Sequence, residues 1–432
     1  MNRPVRIKAR ERDALIQSLR AGVVPRTGQH LIQVGRHQEL SALLADIARI
    51  SDGGSAVRFV IGDYGSGKTF FLNLVRAVAA QKKLVTLHAD LNPGRRLASS
   101  GGQARGLYTE LMRNTGTQAR PDGALAAVVE RFVTQAMDTA RDQGTSPSKV
   151  IRSRLEELTE LVGGYDFAHV IDAYWRGHDT DDDALQAHAV RWLRGEYSTK
   201  TEARSDLGVR TIVDDSSFYD QLKLLARFVR LAGYQGLLVC LDEMVNLYKI
   251  AHKGAREANY EQILRIVNDV LQGNAEGLGF VFGGTPDFLA DSRRGLHSYG
   301  ALASRLGENR FATDDLVDYS GPVLRLEQLS QEDFHVLLEN VRHVHASGDP
   351  DKYLVPDEAI DAFMAHCRRQ IGEAYFRTPR NTIKAFCDLL ALLEQNPGRG
   401  WQEVLGQTSV AVETNPDLEP LDEDADDDLV SF

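Results

Sequence analysis

The residues best suited to do chemistry in this 432-residue chain gather in Gly62-Asp63-Tyr64-Gly65-Ser66-Gly67-Lys68-Thr69. The apolar run Phe59-Val60-Ile61 stands before them and a helical pattern through Val75 follows, so the segment reads as strand, loop, helix. Glycines let such a loop open its backbone so that its N–H groups wrap a phosphate. The start of the following helix adds the positive end of a dipole at the same place. Lys68 would reach the β- and γ-phosphates and Thr69 would hold Mg²⁺. A glycine-rich turn that binds nothing is the plain alternative, and the complete G-x-x-x-x-G-K-T spacing with its flanks weighs against it.

A second constellation is Gly236-Leu237-Leu238-Val239-Cys240-Leu241-Asp242-Glu243. A strand buried on both faces would deliver the two acids at its C-terminal end, the edge at which ligands bind in open α/β sheets. Asp242 would reach the Mg²⁺ shell, and Glu243 would polarise a water for attack on the γ-phosphate. Capping of the next helix is the alternative for this pair. Thr285 ends a further strand pattern that begins at Gly277, and it reads equally as a polar group beside the γ-phosphate and as a turn residue before Pro286.

These residues need elements to position them. Leu84–Leu91 reads as a second strand, so the chain begins β-α-β and predicts a parallel sheet. Residues 95–205 then interrupt the alternation with helical patterns over Ala104–Asn114, Ala124–Gln143, Pro147–Leu161, Asp166–Arg176 and Asp181–Arg194. Ser146-Pro147 is a helix start and Gly163-Gly164 a stop. The aromatics of this insertion (Phe132, Phe167, Tyr174, Trp175, Trp192) sit at helical spacings and read as core, with a base-stacking surface as the other possibility. A helix over Phe218–Leu231 precedes the strand that ends in Asp242, and another over Arg256–Gln272 follows it. Beyond Gly321-Pro322 the pattern is all helical, opening at Ser330-Gln331-Glu332-Asp333. Arg380 falls at the N-terminus of one of these helices.

Bulk properties set limits. The apolar fraction of 43% and charged fraction of 26% fit an ordinary soluble protein. No apolar run is long enough to suggest a membrane span. The first residues, MNRPVRIKARERDALIQSL, have no apolar core and do not read as a secretory signal. Cys240, Cys367 and Cys387 are widely spaced, suit a reducing cytoplasm and read as small core residues. The net charge of −11 is concentrated in Glu413–Phe432, which holds nine acids and no Lys or Arg. That tail reads as disordered, either a solvated end or a segment that docks a partner. The rest is near neutral, so overall charge speaks neither for nor against nucleic acid.

The ordered set of a phosphate loop, an apolar strand ending in Asp-Glu, a later strand ending in a polar residue, arginines after it and a helical C-terminal domain resembles the AAA+ ATPases. The branch it is most similar to holds origin-recognition and transposition ATPases. The resemblance implies an α/β fold of AAA+ type: a P-loop NTPase with a parallel β-sheet core, a large helical insertion and a C-terminal helical lid domain. It implies ATP and Mg²⁺ as ligands. Thr285 would take the sensor-1 position, where Asn is commoner, and Arg380 the sensor-2 position in the lid. Arg305 matches where a finger for the neighbouring subunit often lies, with Arg293, Arg294 and Arg310 as alternatives. Gly35-Arg36 resembles the element that lies by the adenine. The expected domains are residues 1–50 (N-terminal helices and the adenine-side element), 51–325 (the ATPase core with its insertion), 326–410 (the lid) and 411–432 (the acidic tail).

A narrower resemblance rests on the runs ALIQSLRAGVVPRTGQHLIQVGRHQEL, GDYGSGKTFFLNLV, HADLNPGRRLASSGGQARGLYTELMRN, GYQGLLVCLDEMVNLYKI and GFVFGGTPDFLADSRRGLHSYGALASRL. They look like the BrxD family of ATP-binding proteins from bacterial BREX phage-defence systems. This implies a defence-system ATPase that acts with a DNA methyltransferase and other defence-system proteins. The first hypothesis is an ATPase that assembles as a homo-oligomer on or near double-stranded DNA, in the cytoplasm and away from membranes. A nucleotide-gated scaffold with little turnover, and a DNA-binding loader like the transposition ATPases, stand as alternatives.

Overall fold

The computed structural model describes residues 7–311, 317–372 and 379–407. The acidic tail and Arg377 lie outside the described residues. Chain contacts divide the molecule into two compact units.

The larger unit takes the described residues of Ser41–Val60 and Val75–Leu324. Its sheet is built from β1 (Ala56–Ile61), β2 (Leu84–Asp90), β3 (Gly236–Asp242), β4 (Leu278–Gly284) and β5 (Val323–Arg325), in the order β2-β3-β4-β1-β5. β2 pairs parallel to β3 with Asp90 opposite Asp242, and β3 pairs parallel to β4 with Leu241 opposite Phe282. Every residue of β1, β3 and β4 is buried, which is why these strands read as near-continuous apolar runs. The one charge inside β1, Arg58, is buried against the equally buried Asp46 of the helix His37–Ser51. Its guanidinium also donates to the carbonyls of Tyr319 and Gly321. A charge can stay in such a core only when paired and hydrogen-bonded.

The helices between β2 and β3 follow the sequence expectation in number and order up to Leu193, and one further helix, Lys200–Leu207, was not expected. Its polar sequence KTEARSDL gives a weak periodic signal, and Thr199 caps it by accepting the Glu202 N–H at 3.2 Å. Ser146 and Pro147 open the helix Pro147–Leu155 as read. Gly163-Gly164 acts differently from the stop expected of it. Gly163 turns the chain at φ 76°, and Gly164 is already the first residue of Gly164–Asp179. A Cβ at Gly164 would come within 1.7 Å of the Leu158 carbonyl oxygen, so close packing fixes that glycine.

The five insertion aromatics are all buried. Phe132 packs tilted and Phe167 edge-on against Phe228, at 5.2 and 5.6 Å between centroids, and the Trp175 N–H donates to Ser148 Oγ at 2.9 Å. They are core, and the base-stacking surface has no residue left to build it from among these five.

The second unit takes the described residues of Met1–Leu40, Ile61–Leu74 and Arg325–Pro420. Its helices Ala9–Arg20, Gln331–His345, Asp357–Ile371, Pro379–Gln395 and Trp401–Gln407 enclose a core that includes Leu15, Phe334, Leu338, Phe363, Phe386 and Leu390. The N-terminal helix joins this core through Leu15 and Leu19. Its exposed ion pairs, Arg12–Glu394 at 2.9 Å and Arg20–Asp388 at 3.1 Å, add little beside that apolar burial. Ser330 and Asp333 form the reciprocal capping box that the sequence predicts, Ser330 Oγ accepting the Asp333 N–H at 3.0 Å. Among the described residues no helix is long and apolar enough to cross a membrane.

The buried pair in β1 gives a testable outcome. Arg58→Met should destabilise the protein by about 3–5 kcal/mol, because it strands the Asp46 carboxylate. The double variant Arg58→Met with Asp46→Leu should recover most of that loss. Midpoints of urea unfolding check both, and a double variant as unstable as the single one would contradict the account.

Candidate functional site

The loop Gly62–Thr69 passes directly into the helix Lys68–Gln81. Two of its glycines answer different needs. Gly67 sits at φ 88° with nothing within 4 Å of where a Cβ would stand, so backbone conformation requires it. At Gly62 a Cβ would lie 2.5 Å from Ser66 Oγ and 3.3 Å from Leu326, so space requires it. The loop closes on itself through the Ser66 N–H, which donates to Asp63 O at 3.1 Å. Lys68 Nζ donates to the carbonyls of Gly62 and Asp63, both at 2.9 Å, which holds the ammonium over the mouth of the loop. Ser66 Oγ is buried with no hydrogen-bond partner among the described residues. A poised cation and a buried hydroxyl fit a bound phosphate.

Two more of the expected residues lie in the same unit against this loop. Arg36 follows Gly35, and both residues are left-handed at φ 59°. The Arg36 guanidinium donates to the carbonyls of Ser66, at 3.1 Å, and Glu327, at 2.5 Å, and sits 3.5 Å from the Glu39 carboxylate. Burial lowers the pKa of Arg36, opposed by the neighbouring carboxylates of Glu39, Asp333 and Glu327. Arg380, in the first turn of Pro379–Gln395, places Nη1 3.5 Å from the Tyr64 hydroxyl, with the guanidinium carbon 5.8 Å from the Tyr64 ring centroid.

The acids belong to the larger unit. Asp242 closes β3 and is buried, and its Oδ1 accepts the Glu243 N–H at 2.9 Å. Glu243 is left-handed at φ 57°, unusual for a residue with a Cβ. The next residue ties the turn to β4, the Met244 N–H donating to Gly283 O at 3.0 Å. A left-handed non-glycine costs free energy and persists where surrounding bonds enforce it.

Asp90, at the end of β2, escaped the sequence reading. It pairs in register with Asp242, and the Leu91 N–H donates to Asp242 O at 3.0 Å. Its carboxyl keeps solvent access, yet partial burial and then the Asp242 charge raise its pKa. The signal available was an acid ending a strand pattern adjacent to one that also ends in an acid.

Thr285 is buried, and its Oγ1 accepts the Phe288 N–H at 3.3 Å as the cap of the short helix Pro286–Ala290. Of its two readings the structure displays the turn-and-cap role. Arg305 is exposed at the end of Gly300–Arg305 and donates to Asn268 Oδ1 and to Ala301 O. Arg294 turns inward to Ile250 O at 3.1 Å, whereas Arg293 and Arg310 are exposed. Among the described residues no group of three or more His, Cys, Asp or Glu side chains could hold a metal ion. Thr69 offers a hydroxyl in one unit and Asp242 a carboxylate in the other, each a donor type that Mg²⁺ accepts.

The chain has no match among curated proteins and none among solved structures. A family profile, by contrast, runs from residue 7 to residue 409 and includes the phosphate loop, Arg36, Asp242-Glu243, Thr285, Arg305 and Arg380. Its description is the BREX system ATP-binding protein BrxC/D. With nearly the whole chain matched, this chain belongs to the BrxC/D family of BREX system ATP-binding proteins.

Proposed function

We propose that the protein is a Mg²⁺-dependent ATPase of a bacterial anti-phage defence system, AAA+ in fold, that acts as an assembly-dependent motor or switch on double-stranded DNA. It works in the cytoplasm with the other proteins of that system. The observation that carries this reading is the loop itself, with its left-handed glycines, its poised Lys68 and its buried Ser66 hydroxyl, in a chain of an ATP-binding family. The strand order, with β4 between β1 and β3, supports the fold assignment.

In this reading the backbone amides of Gly65, Gly67 and Lys68 bind the phosphates and Lys68 spans the β- and γ-phosphates. Thr69 and Asp242 hold Mg²⁺, which neutralises charge that builds on the phosphate oxygens. Glu243 orients a water and takes its proton as the oxygen bonds to the γ-phosphorus and the bond to ADP breaks. A placed base has no use in a pure binding module, which is why hydrolysis is the better reading. Arg380 approaches the nucleotide from the lid side, and Arg305 reaches the nucleotide of a neighbouring subunit. The exposed Arg368, Arg369 and Lys384 offer phosphate contacts to DNA.

A nucleotide-gated scaffold with little turnover is the second reading. The local bonding of Thr285 to Phe288 and of Arg305 to Asn268 and Ala301 favours it, because both groups are already engaged within the subunit.

Two variants and one condition separate the possibilities. Lys68→Ala should abolish both Mg-ATP binding and phosphate release. Glu243→Gln should keep ATP affinity while lowering turnover by about 10²–10⁴-fold. Removal of Mg²⁺ with EDTA should stop hydrolysis. Turnover that survives Glu243→Gln would remove that residue as the base.

Assembly is tested by specific activity against protein concentration, with and without duplex DNA, alongside mass in solution with and without ATP. Activity per subunit should rise with concentration, and Arg305→Ala should abolish the rise, with a loss of up to about 10³-fold. A specific activity that stays flat and is indifferent to Arg305→Ala would favour the scaffold.

A further inference from the structure

Arg36 does not reach outward from its turn. Its guanidinium bridges two main-chain carbonyls that lie 30 and 291 residues away in sequence, those of Ser66 in the phosphate loop and Glu327 in the segment after β5. Three features hold it there. Its backbone is left-handed at φ 59°, the Glu39 carboxylate lies 3.5 Å from its other guanidinium nitrogen, and its side chain is nearly buried. Gly35 just before it is also left-handed, and a Cβ there would stand 3.2 Å from the Asp333 carboxyl, the group that closes the capping box of Gln331–His345. A second tie runs beside the first, the Leu326 N–H donating to Ile61 O at 2.7 Å.

We propose that Arg36 is a positioning residue for the phosphate loop: by clamping the Ser66 carbonyl to the Glu327 carbonyl it fixes the direction of the loop amides, and it acts on the phosphates of any nucleotide through the loop rather than on the base. The physical ground is the peptide unit. Fixing the Ser66 carbonyl fixes the plane of the Ser66–Gly67 peptide, and so the direction in which the Gly67 N–H points. Gly67, at φ 88° with no side chain, cannot hold that direction by packing. One guanidinium nitrogen serves both carbonyls while another faces Glu39; lysine would carry the same charge but lacks the rigid planar fork that holds the two sides apart.

The proposal rests on the reading of Gly62–Thr69 as a phosphate-binding loop, and the two can fail separately. The probes are Mg-ATP and inorganic tripolyphosphate, which has the phosphates without the base. The proteins are the full chain and its variants Arg36→Ala and Arg36→Lys. Charged hydrogen bonds of this kind put the expected loss for Arg36→Ala at roughly tenfold in affinity, by the same factor for both probes. Arg36→Lys should lose less. Hydrogen exchange of the peptide covering 62–69, measured without any ligand, should speed up in Arg36→Ala, a change that a direct Arg36–phosphate contact would not cause.

Loss of Mg-ATP affinity with tripolyphosphate affinity unchanged would overturn the proposal in favour of a contact to the base. Unchanged ligand-free exchange would overturn it in favour of a direct phosphate contact or a role in global stability alone. If Arg36→Ala does not fold, Arg36→Lys carries the same comparison. Wild-type protein that binds neither probe would defeat the phosphate-loop reading itself.

Discussion

In the proposed reading a phosphate is gripped by backbone N–H groups, and backbone N–H groups have no side chain to aim them. That constraint governs the loop Gly62–Thr69 and much of what surrounds it. The conformations that open the loop require residues such as Gly67, which bring no packing of their own. Order must therefore be imposed from outside the glycines. Lys68 pins the Gly62 and Asp63 carbonyls, Ser66 closes back on Asp63, Leu326 pairs with Ile61, and Arg36 holds Ser66. Each tie ends on main chain, so the loop's shape is fixed by hydrogen-bond geometry and is largely indifferent to which side chains fill the x positions.

The acids at the end of β3 obey the opposite constraint. They need no freedom, only to be delivered to a sheet edge at low cost. Parallel pairing sets Asp90 opposite Asp242, so that like charges come together unless one proton is retained or a cation intervenes. Burial raises the pKa of Asp90 first, and the Asp242 charge adds to it. Glu243 is turned out of line at φ 57° and held by its own N–H to Asp242 and by Met244 to Gly283. The left-handed step separates two consecutive carboxylates that an extended strand would already send to opposite faces, and it re-aims the second one. Strain held by specific bonds at such a place accords with a positioned base.

Much of this was legible in the sequence, and the legible parts share a property: their signal is local. The phosphate loop, the apolar run into Asp242-Glu243, the Ser146-Pro147 start and the Ser330-Asp333 box each declare themselves within a few residues. What could not be read depends on distant chain. Arg36 finds Ser66 and Glu327 by their carbonyls, which every residue possesses, so no residue type marks the partners. The strand order places β4 between β1 and β3, which no periodicity encodes. Ala9–Arg20 shows an apolar face, but nothing in its composition says that the face closes on Phe334 and Phe386. Thr285 carries two local readings, and residue type alone does not tell the 3.3 Å cap on Phe288 from a group beside the γ-phosphate.

The same division explains where side-chain identity matters. At Gly62 a methyl group would strike Ser66 Oγ, and at Gly164 it would strike a carbonyl, so both positions are closed by packing. At Gly67 and Gly35 the backbone is left-handed as well, and at Gly35 the neighbour is a carboxylate that already serves a helix cap. Movement at Gly35 therefore cannot leave Asp333 or Arg36 unaffected, because one turn carries the contact to the capping box and the clamp on the loop. A residue that joins this loop to the segment after β5 through hydrogen bonds of fixed direction transmits a displacement of either to the other. That is the physical content a nucleotide-dependent switch would need, and it is supplied here by one guanidinium and two carbonyl oxygens.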